Sequence, residues 1–137
     1  MATEGSATGP RLRRPIARPA PQMIAHIVLF KPRGDLPAEA RRQLATTFEA
    51  ALNEIPSIRR ARVGPRIIHG GNYEALMTVD YQYAAVLEFD DAGGLKAYLE
   101  HPAHQQLGAQ FFAALEQVLV YDFDLTDGAK DLAALSS

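Results

Sequence analysis

Tyr98, His101 and His104 fall at intervals of three in the segment Tyr98-Leu99-Glu100-His101-Pro102-Ala103-His104. Residues three apart share a face only while the helix is continuous. Pro102 marks a junction, which assigns Tyr98 to one helix and His104 to the first turn of the next. A helix N-terminus disfavours the imidazolium, so an imidazole there suits a general base near neutral pH. A tyrosine hydroxyl close by can donate a hydrogen bond to a carbonyl or enolate oxygen. His26, in the middle of an apolar run, is the third candidate. Together they suit proton removal next to a carbonyl, with no cofactor. The structural alternative is plain: a histidine beside a proline caps a helix, and a buried tyrosine satisfies a backbone carbonyl.

Other chemistries find less support. Two histidines three apart can ligate a metal, but no third ligand lies close by in sequence and no zinc-protease pattern occurs, so no metal site is expected. His69 sits in the turn-like run His69-Gly70-Gly71-Asn72 and reads as a surface residue, and Gly70-Gly71 is no phosphate cradle. Arg59, Arg60, Arg62 and Arg66 concentrate positive charge on one extended segment, which reads as a solvated or edge-protecting face. Across 137 residues, 14 basic against 16 acidic side chains give no general drive toward nucleic acid or anionic membrane. Cysteine is absent, which excludes disulfides, thiolate ligands and a cysteine nucleophile. No apolar run approaches the roughly 20 residues of a membrane-spanning helix. Residues 1–22 hold Arg11, Arg13, Arg14 and Arg18 among prolines and glycines, with no apolar stretch of a secretory signal. They read as a disordered basic tail, and a cytoplasmic location is expected. Met23 opens the first strand-like run, so a start at Met1 or at Met23 leaves the same folded part.

The elements that must position these residues follow from periodicity. Ile24 to Phe30 is β-branched and aromatic, a strand. Asp35 is a candidate cap and Pro37 a helix start. Ala40, Leu44, Phe48, Ala51, Leu52 and Ile55 then form one apolar stripe that Pro56 ends. A second extended segment runs from about Ile58 to Ile68 and a third strand from Tyr81 to Phe89. Asp90-Asp91 caps a short helix carrying Leu95, Tyr98 and Leu99. The helix opened by Pro102 places Leu107, Phe111, Ala114 and Leu115 on one side. A fourth strand runs from Leu119 to Leu125, and residues 126–137 read as a loose tail. The order is β-α-β-β-α-β, so residues 23–125 are expected to form one α+β domain of the ferredoxin-like type.

A two-layer sheet has one face against helices and one toward water, so its strands should alternate apolar with polar. The first strand does not: Ile24, His26, Val28 and Phe30 lie on one face, Ala25, Ile27 and Leu29 on the other. The third behaves likewise, with Ala84 and Val86 between Tyr83, Ala85 and Leu87. A sheet apolar on both sides needs a second cover, most economically the same surface of another copy. A homodimeric α/β barrel is therefore expected. Inside each protomer, His26, Val28 and Phe30 should meet the Leu44 and Phe48 stripe. With Ala85, Leu107 and Phe111 these would line an apolar cavity whose few polar groups are His26, Tyr98 and His104, the usual form of a small-molecule site.

The chain resembles the stress-responsive A/B barrel (Dabb) family. Ala25-His26-Ile27-Val28-Leu29-Phe30-Lys31, Ile55-Pro56, Gly64 and Ala85-Val86-Leu87-Glu88-Phe89 carry the match, together with the Tyr-x-x-His-Pro-x-His element at Tyr98–His104. The likeness spans roughly residues 23 to 125 and implies a ferredoxin-like protomer in a homodimeric barrel. One plant member is a cofactor-independent polyketide cyclase. Its general base and orienting tyrosine match His104 and Tyr98, and two further histidines match His26 and His101. Departures fall at Tyr83, where the cyclase has a histidine, and near Leu115, where it has a tryptophan, which implies a different substrate. The resemblance thus implies a small apolar or aromatic ligand, no cofactor, and cyclase, isomerase or lyase chemistry. A non-catalytic holder of apolar metabolites and a purely structural dimer are the alternatives.

Overall fold

The computed structural model describes residues 22–136. Met23–Leu125 forms one compact unit, and the residues from Thr126 onward belong to another. The first unit runs β1 (Met23–Pro32), α1 (Ala38–Glu54), β2 (Arg60–Pro65), β3 (Tyr83–Phe89), α2 (Ala92–Glu100), α3 (Pro102–Ala114) and β4 (Leu115–Leu125). A short 3-10 turn, Asn72–Leu76, interrupts the connection from β2 to β3. The sheet has the order β2-β3-β1-β4, and every neighbouring pair is antiparallel. This is the ferredoxin-like α+β arrangement.

Register assigns the faces. His26 stands opposite Leu87 on β3 and Asp122 on β4, and Val28 opposite Ala85 and Val120. That inner face is buried: Val28, Phe30, Ala85, Leu87 and Phe89 form the core with Ala51, Ile55, Tyr98 and Leu107 from the helices. On the outer face Ile27 stands opposite Val86 and Tyr121, Leu29 opposite Leu119, and Ala25 opposite Phe123. Its β4 row is open, with Tyr121 57% and Phe123 49% exposed. The both-sided apolar pattern of β1 and β3 is thus real, and no helix of this unit covers the second side.

Several local expectations change. Asp35 does not cap α1: Pro37 takes the N-cap position with no side-chain bond, and Asp35 pairs with Arg33. The second strand ends at Pro65 rather than near Ile68, because the chain turns away toward Gly70, whose φ of 77° only a glycine adopts readily. The third begins at Tyr83, not Tyr81. Leu115 leaves the helix stripe: its φ of −101° and ψ of 140° are extended, and β4 starts there, four residues before the alternation suggested. Asp91 does cap α2, its carboxylate accepting from the Gly94 N–H at 2.9 Å. In residues 126–136 a 3-10 helix, Lys130–Ser136, forms and the Thr126 hydroxyl donates to Asp131. The basic tail lies outside the described residues.

Candidate functional site

Tyr98 is the hub. It points from α2 into the sheet, 4% exposed, and three rings surround it: Phe89 at 5.3 Å, His26 at 5.3 Å edge-on, and His104 at 4.6 Å. The Pro102 junction makes this possible. His101 ends α2 and begins α3, its Nδ1 accepting from the Ala103 N–H at 3.0 Å. The chain thereby turns sharply enough to bring His104, in the first turn of α3, against the ring of Tyr98. On a continuous helix, residues six apart stand about 9 Å along the axis and roughly 120° around it; the break brings these two rings to 4.6 Å.

Hydrogen bonds fix the two imidazoles. His104 Nδ1 lies 3.1 Å from the Leu99 carbonyl, which can only accept, so Nδ1 carries the proton and the neutral ring keeps its lone pair on Nε2. Burial holds the pKa of His104 below the ordinary imidazole value; the Leu99 carbonyl opposes this and the nearby His26 adds to it. His26 is buried, and its Nδ1 lies 2.6 Å from Asp122 Oδ1 across the β1–β4 register. An ionised carboxylate again accepts, which sets the tautomer of this ring too. Burial, reinforced by the charge of Asp122, pushes the Tyr98 hydroxyl up to about 12, so it stays a donor at neutral pH. These three groups open onto a cavity of about 260 Å³ lined otherwise by apolar side chains, among them Val28, Ala85, Leu107 and Phe111. A neutral base, a protonated donor and a carboxylate-held imidazole facing one apolar space can move a proton at a carbon next to a carbonyl.

The sequence of residues 24–125 matches the model of the stress responsive A/B barrel domain. The chain belongs to this family. An uncharacterized protein of Streptomyces coelicolor is 35% identical over 85 residues, covering 61% of this chain and 80% of that one. A dimeric ferredoxin-like protein from Bacteroides fragilis superposes with a TM-score of 0.55 at 29% identity, over 75% of this chain and 96% of that one. The hydroxynitrile lyase of Passiflora edulis superposes with a TM-score of 0.67 at 17% identity, over 79% and 97%, a likeness of fold.

Within this Dabb domain the sequence-derived residues divide. His26, Val28, Phe48, Ala85, Tyr98, His104, Leu107, Phe111 and Leu115 line the 260 Å³ cavity. Phe30, Leu44 and Tyr83 instead line a second, larger cavity of about 540 Å³ between α1 and the sheet, with Phe48 and Phe111 common to both. The Phe111 ring, 5.3 Å from Phe30 and 5.7 Å from Phe48, stands between the two spaces. The larger cavity is walled by Leu44, Phe48 and Leu52 of α1 on one side and by Phe30, Val63 and Tyr83 of the sheet on the other. His101 lines neither, its ring being occupied as the α3 cap. Sequence reasoning missed Asp122 as a site residue, along with Leu87, Leu99, Gly108, Phe112, Val118 and Val120. A signal for Asp122 existed: it alternates with Tyr121 and Phe123, which places it on the face opposite that aromatic row. Among the described residues no group of three or more histidines and carboxylates is placed to hold a metal ion, and no helix is long and apolar enough to cross a membrane.

Proposed function

We propose that this chain is a cofactor-independent acid–base enzyme acting on a small, mainly apolar carbonyl compound, by cyclisation, isomerisation or lyase chemistry. His104 Nε2 removes the proton α to the carbonyl, and the Tyr98 hydroxyl donates to the enolate oxygen as charge develops there. His26, steered by Asp122, is the remaining polar group of the wall and can return a proton. The single observation that carries this reading is the Nδ1 bond of His104 to the Leu99 carbonyl, which leaves a bare lone pair beside Tyr98 in an apolar space. The Passiflora edulis protein is a lyase on the same fold; the reading here rests on the side chains.

The chain works as a homodimer in this reading, its exposed outer sheet face turned onto that of a second copy. The support is the open Leu119, Tyr121, Phe123 and Leu125 row and the dimeric state of the Bacteroides fragilis relative.

The test is hydrogen–deuterium exchange at the α carbon of propiophenone in D₂O, followed by NMR. Exchange accelerated by the protein and lost in His104→Gln is the expected result. Tight retention of the ketone with no exchange would instead make the protein a ligand holder, and neither binding nor exchange would leave a structural dimer.

A further inference from the structure

The larger cavity, between α1 and the sheet, has a wall of aromatic rings with a guanidinium fixed at its edge. Phe30 stacks on Tyr83 at 5.5 Å and 18°, and Phe111 stands 5.3 Å from Phe30 and 5.7 Å from Phe48. At about 540 Å³ the space falls within the range of small-molecule pockets. Two charged side chains belong to its lining, Arg41 and Glu49, both exposed and both on α1. Eight positions separate them, about 12 Å along the helix axis.

The two charges differ in how they are held. Arg41 Nε donates to the Leu36 carbonyl at 3.0 Å, and Leu36, itself buried, lines the same cavity. That bond fixes the guanidinium and leaves its two Nη groups unused. Neighbouring arginines are spent on carboxylates: Arg33 on Asp35 at 3.2 Å and Arg42 on Glu39 at 3.1 Å. Among the described residues no carboxylate pairs with Arg41, and Glu49 forms no hydrogen bond or ion pair. Nothing therefore holds the Glu49 carboxylate in one place. A planar fork with free N–H donors, set at the rim of an apolar space, matches a ligand carboxylate bidentately. Because it is held in advance, it selects more strongly than the unanchored Glu49. Glu49 acts in the opposite sense, disfavouring a second negative charge on the part of a ligand that reaches it.

We infer that the larger cavity is a second ligand site and takes an amphipathic monocarboxylate: Arg41 grips the carboxylate, and the rings of Phe30, Phe48 and Tyr83 receive an apolar or aromatic body. The site goes beyond the proton chemistry proposed at His104 and does not depend on it. Phe111 stands between the two spaces, and neither His26, Tyr98 nor His104 lines the larger one. Contact with the rings supplies most of the affinity, and the guanidinium selects for one negative end.

The probe is 4-phenylbutanoate, with 4-phenylbutanamide as its uncharged twin, each titrated into the full chain by calorimetry at neutral pH. The acid should bind about tenfold more tightly than the amide, the scale of one hydrogen-bonded contact to a charged group. Arg41→Gln, its fold checked by circular dichroism, should bring the acid down to the affinity of the amide. Arg41→Lys should restore part of the preference, as charge without the fork. Glu49→Gln should leave the acid bound at least as tightly. In methyl-labelled protein the acid should shift the NMR signals of Leu36, Leu44 and Leu52 most. Largest shifts at Val28 and Val120 would put the acid in the smaller cavity and overturn the second site. Equal affinity for acid and amide, a preference that survives Arg41→Gln, or no binding of either probe would overturn it as well. None of these results bears on propiophenone exchange, so the two proposals fail separately.

Discussion

The two faces of the sheet are built from the same strands and obey different rules. On the inner face, side chains of β1 and β3 are closed over by helices, and the buried polar residue His26 is held by a carboxylate at 2.6 Å. On the outer face, aromatic and aliphatic side chains of β4 stand half open, with Tyr121 and Phe123 each flanking Asp122 in sequence. Strand β4 serves both at once because successive residues point to opposite sides. The difference teaches that a polar group is tolerated inside where its partner is fixed by register, whereas the apolar row of β4 stands open within a single protomer.

The largest effect expected on this contrast is chemical. His104→Gln removes the proposed base, which α3 holds over the inner face, and should lower α-proton exchange by roughly 10²–10⁴-fold with the mass by light scattering unchanged. Packing comes next. Leu87, 1% exposed, should cost about 2–5 kcal/mol as Leu87→Ala, read from the denaturant midpoint. Phe123→Asp should leave the far-UV circular dichroism intact and convert the dimer to monomer in light scattering; a dimer that survives a carboxylate there would break the assignment of the outer face as an interface. The smallest effect is in pH. Because His104 titrates below the ordinary imidazole value of 6.5, the native state favours the neutral ring. Its contribution to stability is present above pH 6.5 and is lost as pH falls toward the lowered value. Exchange activity should follow the same limb, rising as pH climbs through it, and should hold until the Tyr98 hydroxyl ionises near 12. A thermal midpoint whose acid limb is identical in His104→Gln would remove His104 as its source.

The arginines at the β2 edge divide in the same way. Arg59 and Arg66 are engaged with Asp90 and Asp80 within the protomer, whereas Arg60 and Arg62 stand exposed on the outer side of β2. An interpretation of the whole cluster as a solvated face therefore splits into two structural arginines and two that face outward.

By itself, the sequence determined what periodicity and local chemistry can encode. The order of strands and helices, the two-sided apolar character of β1 and β3, the break at Pro102 and the proximity of Tyr98 to His104 all follow from residues within a few positions of one another. Tertiary structure alone decided the rest. His26 and Asp122 are 96 residues apart, and only the β1–β4 register brings them to 2.6 Å. Whether His101 lined a cavity or capped a helix depended on a backbone N–H two residues away and the angle at which α3 departs. The division of the interior into two spaces depended on Phe111 of α3 coming to rest beside Phe30 of β1 and Phe48 of α1. Local pattern fixes which face of an element is apolar; where that face comes to rest is set by contacts that form only when distant segments meet.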